Sequence, residues 1–393
     1  MRSKFRHHVQ KSRVFGAVLA GVVLSGGLAA PAHARTADAA AAGRDTTNAQ
    51  LRCLLDAVAA PPVPGAVLSV TGPGRSFEGA AGVYELGGRD LRTTDAFRTA
   101  SVTKTMTAAV ALRLAERGDL RLDAPIGTYL DRKLVARIPN GSRITVRQLL
   151  DHTAGLYDYV ADEKWFQYVL DHPRKTWKPR ELVDWALRSG KPYFAPGRGY
   201  HYSDTGYVLA GLVIEKAGRR PLHRLYRSML LRPLKMDRTY LEWWEAHRGP
   251  RAHNYLGERD TYDYNPTFDT FGGGGLVSTA ADLNRFMRGL FEGKVFERPG
   301  TLRTMLRSTP QSVKAGSPYG MGISRMTVAG ETVYGHNGFF GAFQLYAPKK
   351  RIAMTGTITQ AANVGKQARQ FIENALLASL GKPLTAPCES RQD

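Results

Sequence analysis

The strand-like stretches of this 393-residue chain sit near its two ends, and strand-like alternation is scarce between them. Gly65-Ala66-Val67-Leu68-Ser69-Val70-Thr71 reads as a strand, Gly72-Pro73-Gly74 as a turn and 76–84 as the returning strand. The next β-patterns come at 319–327, 331–335, 342–347 and 352–359. An isolated hairpin is marginal in water, so the sheet begun at Gly65 must be completed by the C-terminal third. The intervening chain is then an insertion. Its patterns are helical: 145–154, capped by Thr145 and stopped at Gly155, then 179–189, 206–217 and 221–231. Helices are also expected at 48–60, ending before Pro61-Pro62, and at 365–380. The fold class is α/β: an antiparallel sheet (48–105 and 271–393) flanked by N- and C-terminal helices, with a mainly helical inserted lobe at 106–270. The chain is long enough for two lobes, and it shows no internal repeat.

Where sheet gives way to insertion stands Thr99-Ala100-Ser101-Val102-Thr103-Lys104. Residues 102–116 are rich in Ala, Leu and Met without Pro or Gly, and Gly118 follows, so a helix is predicted with Ser101 at its first turn. Residues three apart share a helix face, so the Ser101 hydroxyl and the Lys104 ammonium can meet. A serine oxygen becomes a useful nucleophile when a neighbour takes its proton, and a helix N-terminus adds N–H groups beside a developing oxyanion. A Ser-x-x-Lys spacing arises about once by chance in a chain of this length, so its meaning depends on the other motifs.

Residues 1–34 carry Arg2, Lys4, Arg6, Lys11 and Arg13, then an apolar run, then Ala32-His33-Ala34. That order is a secretory signal, and residues 35–47 after it read as a flexible leader. No later apolar run is long enough for a membrane span, so a soluble exported protein without a transmembrane anchor, cell-wall associated and monomeric, is expected. The net charge of +21 favours anionic surroundings. No recognisable nucleic-acid module accompanies it, so nucleic acid is not an expected partner. Cys53 and Cys388 are the only cysteines. In an exported chain they are expected to tie the terminal segments together, two unpaired thiols being the alternative. Gly272-Gly273-Gly274-Gly275 lacks the Lys-Ser/Thr of a phosphate loop. With Thr279 and Asp282 at capping spacing after it, it reads as a close-packed turn into a helix.

Two further motifs complete the set: Tyr200-His201-Tyr202-Ser203-Asp204-Thr205-Gly206 after Pro196-Gly197, and Tyr334-Gly335-His336-Asn337-Gly338 among the late β-patterns. With Ser101-Val102-Thr103-Lys104, and with Leu149-Leu150-Asp151-His152-Thr153-Ala154-Gly155, this order resembles the serine penicillin-recognising family. That family comprises class C β-lactamases, D-alanyl-D-alanine carboxypeptidases and related esterases and D-aminopeptidases. Tyr319-Gly320-Met321-Gly322 makes it look closest to secreted actinobacterial D,D-carboxypeptidases. The resemblance implies Ser101 as the nucleophile of an acyl-enzyme, with Lys104 bonded to Ser101 and Tyr202. Tyr202 would be the base, its phenol made more acidic by Lys104, although either of the two can take the proton. His336 would help the tyrosine or bind substrate. The backbone N–H groups of Ser101 and Phe339 would form the oxyanion hole, and Gly338 would let substrate backbone approach. No metal or organic cofactor is required. The expected partners are peptidoglycan peptides or other small acyl substrates, with β-lactams as acylating ligands.

Two departures bear on the substrate. Asp204 replaces the family's usual Asn. As a carboxylate it accepts only, holds Lys104 charged and disfavours a substrate carbonyl. Asn337 and Phe339 stand where the carboxypeptidases carry hydroxyl residues. Arg325 lies close to where an arginine serves the terminal carboxylate, but a one-residue slip would turn it to the other face, leaving a solvent arginine. Trp243, Trp244 and Tyr255 either line the cleft or pack in the core, and His152 is expected to pack. Alternatives on the same scaffold are an esterase, a D-aminopeptidase, a weak β-lactamase or a non-catalytic peptide-binding protein.

Overall fold

The computed structural model describes residues 37–361, 364–386 and 388; the expected export signal, 1–34, lies outside them. In chain order come α1 (Ala37–Val58), β1 (Gly65–Gly72), β2 (Arg75–Gly82), β3 (Phe97–Arg98) and α2 (Thr103–Glu116). The middle holds α3 (Arg132–Arg137), α4 (Val146–Leu150), α5 (Glu163–Asp171), α6 (Pro179–Ser189), α7 (Asp204–Gly218), α8 (Leu222–Tyr226), β4 (Tyr240–Leu241), β5 (Tyr255–Leu256) and β6 (Arg259–Asp260). The chain then forms β7 (Leu276–Ser278), α9 (Ala280–Phe291), α10 (Pro299–Leu306), α11 (Pro310–Lys314) and strands β8 (Ser324–Val328), β9 (Glu331–Asn337), β10 (Phe343–Ala347) and β11 (Ile352–Ile358). It closes with α12 (Gly365–Leu380).

The main sheet is antiparallel, in the order β2-β1-β11-β10-β9-β8. Ala66 faces Ile358 across the seam where the N-terminal hairpin meets the C-terminal strands. Alternation along the strands divides their side chains between two cores. Leu68, Val70, Leu345 and Met354 pack with Leu51 and Leu55 of α1 and Phe371 and Leu376 of α12. Val67, Tyr346 and Ala353 point the other way, into the core built on α2. On that inner face Ser69 accepts from Asn284 Nδ2 at 2.6 Å, and Thr355 donates to Ala280 O at 2.7 Å, fixing α9 against the sheet. Cys53 of α1 is disulfide-bonded to Cys388, with Cα atoms 6.0 Å apart.

A second, three-stranded sheet, β3-β7-β4, joins the two lobes. It pairs Phe97 with Ser278 and Tyr240 with Val277, so the mainly helical stretch supplies a strand beside the segment that leads to Ser101. Helix α2 is buried on all sides: residues Thr103 through Leu112 are buried, Lys104 and three threonines among them.

Two expectations are corrected. Helix α1 starts at Ala37 and takes in most of the stretch read as a flexible leader; its Ala37–Ala42 segment is rich in the strongest helix former. Helix α4 begins with the expected Thr145–Gln148 capping box but ends at Leu150, not at Gly155. Asp151 Oδ1 accepts both the N–H and the hydroxyl of Thr153, the latter at 2.6 Å, and this local pairing competes with the helix. His152 then turns left-handed at φ +62.

Candidate active site

Ser101 lies in a single 3₁₀ turn, Ala100–Val102, between β3 and α2. Thr99 fixes the entry: its hydroxyl donates to Leu276 O at 2.7 Å and meets Thr103 Oγ1 at 3.1 Å. Ala100 adopts φ +43, a region that costs a residue with a Cβ and persists only where the surroundings impose it. Three residues before Ser101, the buried Arg98 donates to Glu242 at 2.8 and 3.2 Å and to the carbonyls of Thr261 and Tyr264 at 2.7 and 3.0 Å. Arg251 Nε approaches the same Glu242 at 3.1 Å.

One helical turn on, Lys104 is 0% exposed. Its Nζ donates to Ser101 Oγ at 3.0 Å, to Gly273 O at 2.8 Å and to Asp204 Oδ1 in a close ion pair. An ammonium has three protons, and each has an acceptor. The glycine run makes this approach possible. A Cβ on Gly272 would sit 2.2 Å from Tyr207 O, and one on Gly273 would sit 3.0 Å from Asp204 Oδ1. It is the close-packed turn read from the sequence.

Tyr202 lies over this pair, its ring centroid 4.9 Å from Lys104 Nζ. Here the expected acidification of the phenol is overturned. Burial raises the Tyr202 pKa well above the ordinary phenol value, and the charge of Asp204 raises it further. The carboxylate that pairs with Lys104 cancels the field that would have favoured a phenolate.

His336 is brought to the site but not onto Tyr202, whose ring centroid is 6.1 Å away. Its Nδ1 donates to Asn337 O at 2.7 Å, which leaves Nε2 to accept the Tyr319 hydroxyl at 2.9 Å. Burial, and then the charge of Lys104, push its pKa down to about 3, so it is neutral. His152 packs, as expected. Its Nδ1 accepts the Ser203 N–H at 3.2 Å and its ring lies 4.3 Å from that of Tyr202.

Gly338 has a different role from the one expected. A Cβ there would stand 2.2 Å from Thr99 O, so the glycine admits the protein's own backbone and seats the end of β9 against the Ser101 turn. Next to it, the N–H groups of Ser101 and Phe339 bond no backbone carbonyl among the described residues, as an oxyanion hole requires. Gly338→Ala is therefore expected to push the strand end from the turn and slow acylation by about 10²–10³-fold. A burst-phase rate equal to wild type would show that this N–H pair is not used.

Phe339 is 47% exposed, its ring 6.1 Å from Phe166 of α5 and 5.3 Å from Phe340. Asn337 is exposed at the end of β9. Arg325 pairs with Tyr334 across β8 and β9, which places it on the same sheet face as His336; it is exposed and makes no ion pair among the described residues. Tyr255 is buried and its hydroxyl accepts the Leu86 N–H at 2.9 Å, so it is a packing residue. Trp243 and Trp244 are exposed, and Trp244 lies 6.0 Å from Phe271.

Two acids escaped the sequence reading. Asp158 is buried and accepts the Asp204 N–H at 3.0 Å and the Val160 N–H at 3.3 Å. Burial and then the charge of Asp204 push its pKa up to about 8. The same two causes push Asp269 up to about 7. Lys104 opposes both shifts. The available signal was an acid inside the apolar run Ala154-Gly155-Leu156-Tyr157-Asp158-Tyr159, and another three residues before the glycines.

A serine bonded to a buried lysine, under a tyrosine and beside the edge region of an antiparallel sheet, defines a serine hydrolase. The family described as Beta-lactamase matches residues 52–379, and the chain belongs to it. It is 30% identical over 247 residues to penicillin-binding protein 4* of Bacillus subtilis (strain 168), covering 58% of this chain and 52% of that one. It is 29% identical over 204 residues to the D-alanyl-D-alanine-carboxypeptidase/endopeptidase AmpH of Escherichia coli (strain K12), covering 51% and 50%. The chain spans about half the length of these curated relatives. Among solved structures, a D-stereospecific amidohydrolase from Streptomyces sp. superposes with a TM-score of 0.75 at 29% identity, over 86% of this chain and 99% of that one. The D-amino acid amidase of Ochrobactrum anthropi SV3 gives 0.75 at 25%, with the same coverage.

Proposed function

We propose that the chain is an exported hydrolase that cleaves amides and peptides of D-amino acids through an acyl-enzyme on Ser101. The observation that carries this reading is the Lys104 ammonium bonded at once to Ser101 Oγ, Asp204 and Gly273 O. A binding module has no use for such a nucleophile. Ser101 Oγ attacks the substrate carbonyl, the Ser101 and Phe339 N–H groups hold the oxyanion, and the amine leaves. Water then attacks the ester. The names of the relatives, a D-stereospecific amidohydrolase, a D-amino acid amidase and a D-alanyl-D-alanine carboxypeptidase/endopeptidase, support D-residues on the acyl side.

Within that class the geometry favours an amidase or aminopeptidase-like preference over a dedicated carboxypeptidase. Phe339 and Phe166 put aromatic edges beside the oxyanion N–H, where a terminal carboxylate would want hydroxyls. Arg325 shares the site's sheet face but is turned to solvent. Export is supported by the signal-like residues 1–34 and the Cys53–Cys388 bond, and makes peptides of the cell wall the available substrates. The test is intact-mass detection of a covalent adduct with a fluorescent penicillin, with turnover of a D-phenylalanine amide, a D-alanyl-D-alanine peptide and a short ester. Wild type is expected to form the adduct and to turn over the amide fastest, and Ser101→Ala to do neither. Absence of any Ser101-dependent adduct or turnover would overturn the reading.

A further inference from the structure

The hydrolase reading leaves open where the serine proton goes, and the inference drawn here rests on that reading. We propose that Asp204 is the terminal acceptor of the Ser101 proton, reached through Lys104, so that serine, lysine and aspartate act as one relay. The chain of contacts is continuous: Ser101 Oγ to Lys104 Nζ at 3.0 Å, and Nζ to Asp204 Oδ1 in a close pair closed off from solvent.

The other candidate acceptors around the serine are already committed. Tyr202 keeps its proton, because burial and the Asp204 carboxylate both oppose a phenolate. His336 donates from Nδ1 to Asn337 O and accepts Tyr319 at Nε2, so no lone pair is left on it. His152 accepts the Ser203 N–H at Nδ1, and its proton is then on Nε2, which has no partner among the described residues. Lys104 as an ammonium cannot accept at all. A base appears only when Lys104 first hands a proton to its carboxylate partner.

The relay balances. Asp204 takes one proton from the Lys104 ammonium, leaving an amine and a neutral carboxyl. Ser101 Oγ bonds to the substrate carbonyl carbon as its own proton passes to that amine, restoring the ammonium beside the neutral Asp204. On collapse the C–N bond breaks, the leaving nitrogen takes a proton from the Lys104 ammonium, which lies beside Ser101 Oγ, and Asp204 returns its proton to Lys104. The acyl-enzyme then carries the resting ion pair again, ready for attack by water.

Asp204 faces Asp158, which accepts its N–H, and the charge of Asp204 acts on Asp269 ahead of the glycine run. Lys104 on α2 is the cation paired with it. The other titratable groups about the pair are Tyr202, Tyr207 on α7 and Tyr159, then His152 after α4 and His336 on β9. Burial and the charge of Asp204 together push Asp158 and Asp269 to about 8 and about 7.

Asp204 acts through Lys104 and does not touch the reacting atoms, so its test needs a readout that a structural part would not move. Asp204→Asn and Asp204→Glu are compared with wild type in the pre-steady-state acylation rate by fluorescent penicillin and by a D-phenylalanine ester, from pH 5 to pH 9. Expected is an Asn variant slowed at least ~100-fold at neutral pH, with a pH profile altered from that of wild type, and partial recovery by Glu. An Asn variant that acylates at or above the wild-type rate would overturn the relay, since loss of the carboxylate would then have helped a Tyr202 base. A fall with an unchanged pH profile would overturn it too, by assigning Asp204 a structural part. Wild type that fails to acylate with either probe would instead refute the hydrolase reading.

Discussion

Lys104→Met is expected to abolish measurable acylation and to destabilise the protein by about 3–5 kcal/mol at neutral pH, the cost of breaking a buried ion pair by removing one partner. The magnitude follows from what the ammonium faces. Lys104 is fully buried and is the cation paired with Asp204, while Asp158 and Asp269 lie close enough for its charge to lower the pKa of each. Both acids already stand above the ordinary aspartate value of about 4, and without Lys104 they rise further. Below about pH 4 the folded and unfolded chains both carry these protons, so the two acids add no penalty. As pH climbs toward 8 the unfolded chain releases protons that the folded chain keeps, and stability falls. Wild type stops losing stability as pH passes the Asp269 and Asp158 values of about 7 and about 8 and the variant does not, so the deficit of Lys104→Met is expected to be larger at pH 9 than at pH 5, widening above about pH 7. Urea unfolding at those pH values checks it, with burst-phase acylation measured alongside. A deficit that stays constant with pH would show that Asp158 and Asp269 do not feel Lys104.

The architecture was legible where local chemistry and packing agree. Residues 179–189 and 365–380 form helices with the bounds read from Pro, capping and periodicity. The two separated β-regions could only be reconciled by pairing β1 with β11. The Ser101–Lys104 contact follows from helix spacing alone. What stayed hidden depends on partners far away in sequence. Asp158 is an ordinary acid in the chain and becomes a buried neighbour of Asp204 only because α7 begins beside it. Tyr202 was assigned an acidic phenol because the field of Lys104 was weighed without that of its counter-ion. His336 was expected to reach toward Tyr202; the Tyr319 hydroxyl, brought in just ahead of β8, takes its free nitrogen. Gly338 looked like room for substrate and is room for Thr99. For Tyr202, His336 and Gly338 the residue was found and its neighbour was not.

Glu242→Gln is expected to match the Lys104 variant in size without changing the identity of any catalytic side chain. Glu242, Arg98 and Arg251 are each 3% exposed, and the one carboxylate serves both guanidinium groups. Burial alone would push the Glu242 pKa up, but the charges of Arg98 and Arg251 and the Arg98 hydrogen bonds outweigh it and hold the group below its usual value. Gln keeps the shape and removes the charge, leaving two buried cations to repel each other at a cost of about 3–5 kcal/mol. The remaining Arg98 bonds to Thr261 O and Tyr264 O tie β3 to the other lobe, but they supply no negative charge. Because Arg98 lies three residues before Ser101, the strained Ala100 turn loses its anchor, and acylation is expected to fall along with stability. The pH signature separates this variant from Lys104→Met. A carboxyl held low in the folded state contributes stability above its unfolded value and loses it only as pH falls through the folded one. The Glu242→Gln deficit is therefore expected to stay level from pH 5 to pH 9 in urea unfolding, where the Lys104→Met deficit grows. Asp56→Asn, at the exposed Arg52 pair, serves as the control and is expected to change little. A Glu242→Gln protein as stable as that control would show that Arg98 and Arg251 are held by their carbonyl partners alone.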